Sequence, residues 1–160
     1  MHPSAERVAA VLRTLGVETQ VIEFSQTTRT AHDAAVAIGT TVGQIVKSLV
    51  FLADQEPVLT LVSGANRVDV GKLQTLRGAA RVDWADADTV RQVTGYAIGG
   101  VPPVGHARPL AVLMDRDLLQ YETVYAAAGT PHAVFAVAPE SLLQITGAAA
   151  VDLAQAPDTR

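Results

Sequence analysis

The chain reads as an α/β domain with a mixed, largely antiparallel central sheet, barrel-like and surrounded by helices. Three observations predict this. Apolar residues recur at helical spacing in five short segments, the first carrying Val8, Val11, Leu12 and Leu15. Between them lie strand-length runs of branched and aromatic residues, such as 44–52, 58–62 and 110–114. Several runs are joined by short turns, Asp54-Gln55-Glu56-Pro57 and Gly129-Thr130-Pro131-His132. Antiparallel neighbours permit such turns, whereas a parallel pair needs a long crossover.

In order, Ser4 to Leu15 is a helix with Ser4 as N-cap and Gly16 as its stop. Val17 to Phe24 is a short strand. The polar run Thr27-Thr28-Arg29-Thr30 leads into a helix over Ala31 to Ile38, capped by Thr30 and ended by Gly39. Gln44 to Leu52 is the central strand, and Val58 to Val62 returns beside it. A helix containing Val70, Leu73 and Leu76 stops at Gly78, Ala79 to Val82 forms a short strand, and Asp86 to Val93 is helical with acids in its first turn. Leu110 to Met114, Thr123 to Ala127 and Ala133 to Ala138 are strands. Glu140 to Ile145 is the last helix, and Val151 to Leu153 an edge strand. Residues 1–160 suit one domain, with 153–160 as a frayed tail.

The central strand carries the first anomaly. Ile45, Lys47, Leu49 and Phe51 project to one face, and Val46, Ser48, Val50 and Leu52 to the other. Both faces are mostly apolar, so the strand is buried on both sides. A lysine in its middle either snorkels to solvent from near a strand end or is a functional charge.

The second anomaly is Thr94 to Gly105, where Gly99, Gly100 and Gly105 alternate with Val101, Pro102 and Pro103. Glycine admits close approach to the backbone and proline fixes φ, so such a loop can aim N–H groups at a carbonyl or phosphate. It can equally be a surface connection, and it matches neither the P-loop nor the dinucleotide fingerprint.

Composition narrows the chemistry. With 49% hydrophobic and 18% charged residues the chain folds. No apolar run is long enough to span a membrane and none resembles a signal peptide, so the expectation is a cytoplasmic protein without a membrane partner. The absence of cysteine excludes disulfides, thiolate nucleophiles and cysteine-ligated zinc. His2, His32, His106 and His132 do not fall at metal-ligand spacing, and no metal or cofactor is implied. His132 is either a site residue or a solvated turn histidine. Leu61-Val62-Ser63-Gly64-Ala65 lacks a nucleophile elbow's first glycine. A net charge of −4 argues against a broadly basic surface. Arg67, Lys72, Arg77 and Arg81 could still form a local patch, or lie on solvated helix faces.

Gln44 to Phe51, then Thr94 to Gly105, then Asp115 and Tyr125 to Gly129 resemble, in that order, the YbaK/EbsC-type proteins. They are likewise similar to the editing (insertion) domain of bacterial prolyl-tRNA synthetase. The likeness runs from about Ala31 to the final helix. It implies a free-standing deacylase that hydrolyses mischarged aminoacyl-tRNA in a cleft between the lysine strand and the glycine-proline loop. In that reading Lys47 holds the terminal adenosine phosphate or the ester region. Gly99, Gly100 and Val101 supply backbone donors to the oxyanion. Thr30, Ser48, Pro102, Pro103, Gly105, Gly129 and His132 complete the substrate-binding set. Ser48 faces away from Lys47 in an ideal strand, so its contact needs a twist or bulge. The partners implied are the acceptor end of aminoacyl-tRNA and a tRNA synthetase that could deliver it. Val134 and Phe135 stand where some family members carry a polar residue, so cysteine, alanine, serine and threonine esters all remain open. The alternatives are a catalytically inactive module that binds aminoacyl-tRNA or a synthetase, and a hydrolase of another small ester or amide.

Overall fold

The computed structural model describes residues 1–25 and 30–156. Its elements run α1 Pro3–Thr14, β1 Val21–Glu23, α2 Ala31–Ile38, β2 Val46–Ala53, β3 Glu56–Ser63, α3 Val70–Arg77 and β4 Val82–Trp84. They continue with α4 Ala87–Thr94, β5 Ala111–Asp115, β6 Val124–Ala127, β7 Ala133–Val137, α5 Pro139–Thr146 and β8 Ala149–Val151. Short 3₁₀ turns cover Val42–Gln44 and Arg116–Gln120.

The strands sort into two sheets, one ordered β4-β2-β3-β5-β8 and the other β1-β7-β6. Pairing is antiparallel except for β3–β5 and β5–β8. The mixed, largely antiparallel sheet expected from the sequence is present, but it does not close into a barrel. β4 pairs with β2 only over Phe51 to Ala53, and the smaller sheet reaches β2 through a parallel bridge between Ile45 and Tyr125. Among the described residues, no strand pairs with β2 on that side between those two contacts.

The β2–β3 hairpin is tighter than the sequence suggested. Only Asp54 and Gln55 form the loop, at φ of 48° and 71°, and Ala53 pairs directly with Glu56. Positive φ at both central residues is what a two-residue type I′ turn requires. Pro57 is therefore inside β3, beyond the point where β5 begins to pair at Val58. The Asp54 carboxylate accepts the N–H groups of Ala80 and Arg81. That anchor moves the following strand to Val82–Trp84 rather than Ala79 to Val82.

Alternation along β2 then feeds two cores. Val46 and Val50 join Leu59, Leu61, α1 (Ala5, Val8, Leu12), α4 (Val90, Val93) and the smaller sheet (Val124, Phe135). Phe51 and Ala53 join Val58, Val62, Leu113 and Leu73 of α3. β3 is buried from Pro57 to Ser63, as a strand covered on both faces must be.

Several boundaries differ from expectation for local reasons. α1 begins at Pro3, and His2 rather than Ser4 is the N-cap, its Nδ1 accepting the Ser4 N–H. Thr30 caps α2 as expected, accepting the Asp33 N–H, while 27–29 lie outside the described residues. The expected strand from Val17 to Phe24 is reduced to Val21–Glu23, the residues in register with β7. Residues 153–155 are not frayed. Leu153 is fully buried, its N–H donating to Asp115 and its carbonyl accepting from Asp69, and Gln155 N–H donates to Arg67. The rest of the expected tail, 157–160, lies outside the described residues.

Candidate functional site

The stretch of β2 between its pairing with β4 and the bridge to Tyr125 forms one wall of a cleft of about 710 Å³. Its other walls come from the start of α2, the 64–67 loop, Trp84 and Ala85, the glycine-proline loop at Ile98, Gly99 and Val101, and the β6–β7 connection at Thr130 and Pro131. Among the described residues no group of three or more His, Asp or Glu could hold a metal.

The cleft meets β2 edge-on. Leu49 turns its carbonyl toward β3, where the Thr60 hydroxyl reaches it, and Val50 turns its carbonyl outward to Ala85 N–H. Peptide groups alternate along a strand, so the N–H and C=O of Ser48 also face outward, onto the edge β4 leaves uncovered. Side chains from both faces of β2, Lys47 and Ser48 included, reach the cleft without a bulge. The Ser48 hydroxyl is buried and has no hydrogen-bond partner among the described residues.

The Lys47 ammonium is half-buried and donates to the Asn66 carbonyl. Burial lowers its pKa, and the neighbouring Arg67 guanidinium lowers it further. Hairpin register explains the meeting. Lys47 lies opposite Val62, so the residues just past the end of β3 fold over its side chain.

The glycine-proline loop is held rigidly on the scaffold. Thr94 Oγ1 donates to the Val90 carbonyl at 2.7 Å and accepts the Tyr96 N–H at 3.0 Å. The Arg7 guanidinium lies 5.2 Å over the Tyr96 ring. His106 Nε2 donates to the Pro102 carbonyl at 2.7 Å, and burial pushes the imidazole pKa down, favouring the neutral ring.

The structure divides the sequence-derived candidates. Lys47, Ser48, Thr30, Gly99 and Val101 line the cleft. Thr30 does so with its hydroxyl already engaged as the α2 cap. Gly100 does not line it. Its N–H donates to the Ala97 carbonyl, its carbonyl accepts from Gly129, and a Cβ there would come within 2.7 Å of Thr130 Cα. Gly100 is thus where the loop docks onto the β6–β7 turn, and its N–H is not available to an oxyanion. Those of Gly99 and Val101 have no acceptor among the described residues. Pro102 and Pro103 are buried behind the wall, and Gly105 packs on Val11 of α1. Gly129, at φ 96°, packs so close to the Ser4 carbonyl that a Cβ would lie 2.6 Å from it. His132 is exposed and stands edge-on to Phe24, which lines the cleft.

The basic patch comes apart. Lys72 is paired with Asp152 at 2.9 Å and Arg81 with Asp83 at 2.8 Å. Arg77 sits in the last turn of α3. Arg67 alone of the four lines the cleft, with no ion pair among the described residues. Sequence reasoning singled out neither Asn66 nor Trp84, which is 62% exposed and packs its ring on Phe51. That Trp84 is the chain's sole tryptophan was the signal available in the sequence.

The sequence pattern of the aminoacyl-tRNA editing domain family matches residues 25–145. A crystal structure described as that of a candidate trans-editing enzyme for prolyl tRNA synthetase superposes with a TM-score of 0.93. It is 50% identical, over 98% of this chain and 99% of that one. EbsC of Enterococcus faecalis, described as a candidate Cys-tRNA(Pro)/Cys-tRNA(Cys) deacylase, is 27% identical over 77% of this chain and 76% of its own. The proline–tRNA ligase of Citrifermentans bemidjiense is 37% identical over 56% of this chain, a stretch that makes up 16% of the ligase.

Proposed function

The chain belongs to the aminoacyl-tRNA editing domain family, and we propose that it is a free-standing deacylase of mischarged aminoacyl-tRNA, acting in the cytoplasm. The observation that carries this reading is the edge-on cleft. It brings to one cavity a half-buried ammonium (Lys47), a buried hydroxyl (Ser48) and a loop with two N–H groups (Gly99, Val101), the hydroxyl and both N–H groups having no partner among the described residues.

Hydrolysis of an aminoacyl ester needs placement more than strong activation. Water adds to the ester carbonyl carbon, and negative charge gathers on the carbonyl oxygen. The bond to the ribose oxygen then breaks, the proton passes to that oxygen, and the free amino acid leaves. Gly99 and Val101 N–H serve as oxyanion donors in this reading. Lys47 supplies a fixed positive charge to the ester region or the terminal phosphate, and Ser48 uses its hydroxyl and main-chain groups to hold the aminoacyl moiety. Gly100, Pro102, Pro103, Gly105 and Gly129 act by holding the loop against α1 and the β6–β7 turn. Thr30 and the His132–Phe24 pair border the amino-acid end. A synthetase partner that delivers the substrate is consistent with a chain of net charge −4.

The test is competition. A non-hydrolysable aminoacyl-adenosine amide is expected to inhibit hydrolysis of a mischarged tRNA and to change the fluorescence of Trp84. Hydrolysis of the mischarged tRNA that the amide leaves untouched would place the reaction outside this cleft. Binding without any hydrolysis would favour the inactive module.

Salt dependence separates the basic residues. Neutralising Arg67 with glutamine is expected to lower the slope of log K against log salt by about one unit. Lys72→Gln and Arg81→Gln are expected to leave the slope unchanged, because those charges are already paired. Equal slopes for all three variants would remove Arg67 from the phosphate path.

A further inference from the structure

Lys47 is held by a residue whose own side chain is held by two carboxylates, the exposed Asp117 and the buried Asp115. The Asn66 carbonyl accepts from the Lys47 ammonium, and the Asn66 N–H donates to Ser63 at 2.9 Å. Its side-chain amide donates to Asp117 at 2.9 Å and to Asp115 at 3.3 Å. The loop leading into it is fixed as well, through Gly64 N–H to the Ile45 carbonyl and Ala65 N–H to the Ser63 hydroxyl. Asp115 is 1% exposed at the end of β5, and its second oxygen accepts the Leu153 N–H. Burial raises its pKa, and the nearby Asp117 and Asp152 act in the same direction. No lysine or arginine forms an ion pair with Asp115 among the described residues. A buried carboxylate with two acidic neighbours is a costly way to fill a strand end, since an apolar residue would serve packing better. It secures the Leu153 N–H with one oxygen and, together with Asp117, the side chain of Asn66 with the other.

We propose that Asn66 and Asp115 are positioning residues for Lys47. The amide–carboxylate bonds fix the Asn66 backbone so that its carbonyl holds the ammonium at one place in the cleft. The catalytic part of this inference rests on the reading of Lys47 as a functional cation, and the positional part does not. Neither residue has to touch substrate. The arrangement keeps a long, flexible side chain from sampling other rotamers, and small displacements of a catalytic group cost rate steeply.

The chain has two lysines, Lys47 and Lys72, so the side-chain nitrogen signals of ¹⁵N-lysine-labelled protein are assignable with a Lys72→Arg variant. In Asn66→Ala the Lys47 signal is expected to shift and broaden and its titration to move lower, while the Lys72 signal stays in place. The charged group facing Lys47, Arg67, is the same in both proteins. Deacylation by Asn66→Ala is expected to lose about 10–100-fold in kcat with KM nearly unchanged. Asp115→Asn added to Asn66→Ala is expected to cost little more, because both act along one path. If Asp115→Asn fails to fold, the single Asn66→Ala variant still decides through the lysine signals. An unchanged Lys47 signal in a folded Asn66→Ala protein, whatever its melting temperature, overturns the proposal. A wild-type protein that hydrolyses no ester would defeat the deacylase reading, and the lysine signals would still decide whether Asn66 positions Lys47.

Discussion

Lys47→Ala is expected to abolish deacylation, or reduce it by at least about 10²–10³-fold, the cost of removing one preorganised charge-stabilising group. The same substitution should leave the protein folded. The ammonium is half-buried with a lowered pKa, so its removal relieves a desolvation cost, while the Asn66 carbonyl loses its donor. These effects oppose each other, and the melting temperature is expected to move by only a few degrees. The pH dependence has a definite sign. A lysine with a depressed folded-state pKa binds fewer protons folded than unfolded over the interval between its two pKa values. Wild-type stability therefore gains relative to Lys47→Ala as pH rises through that interval up to the ordinary lysine range. Lys47→Arg is expected to restore little activity, since a planar fork replaces a compact charge seated on one carbonyl. If Lys47 merely snorkels, the alanine variant would lose some stem packing and keep its activity.

Gly100→Val is expected to damage fold and activity together. The added Cβ would meet main-chain atoms of Thr130 at 2.7–2.9 Å, and neither backbone can yield without breaking the Gly129 N–H to Gly100 carbonyl bond. An overpacking cost of about 3 kcal/mol is a reasonable size. It corresponds to a fall in melting temperature of roughly 6–12 °C for a chain of this length. Gly99 offers the contrast. A Cβ there meets only Pro131 side-chain atoms at 3.6 Å or more, but its φ of 87° strains any other residue. Gly99→Ala is therefore expected to reduce deacylation with a smaller loss of stability. Equal melting temperatures for wild type and Gly100→Val would contradict the docking role given to Gly100.

The sequence made the helices legible because each runs into a glycine stop and all but α5, which has Ala138 at its N-cap, carry a side-chain cap. α2 runs from Ala31 to Ile38 as its Thr30 cap and terminal glycine imply. It also exposed the two anomalies that border the cleft, a lysine in an apolar strand and a glycine-proline loop. What it could not give was register. Reading Asp54 to Pro57 as a four-residue turn would set Lys47 opposite Gly64. The two-residue turn sets it opposite Val62, which brings Asn66 over the ammonium. Ser48 illustrates the same limit. Period-two alternation correctly put it on the face opposite Lys47. Only the length of β4 shows that the strand meets the cleft by its edge, so that both residues reach it. Gly100 and Gly105 belong to the loop whose glycines the sequence marks as admitting close approach, while Gly129 reads only as a turn residue. The partner in each case, Thr130, Val11 or Ser4, is a long-range contact that no local pattern encodes.

The most direct measurement is single-turnover hydrolysis of a panel of tRNAs charged with alanine, cysteine, serine or threonine, with wild type and Lys47→Ala side by side. The expected result is that at least one ester is hydrolysed by wild type well above its spontaneous rate, while folded Lys47→Ala leaves it near that rate. Hydrolysis by both proteins at the same rate would contradict the role of Lys47, and no acceleration of any ester by wild type would contradict the deacylase itself.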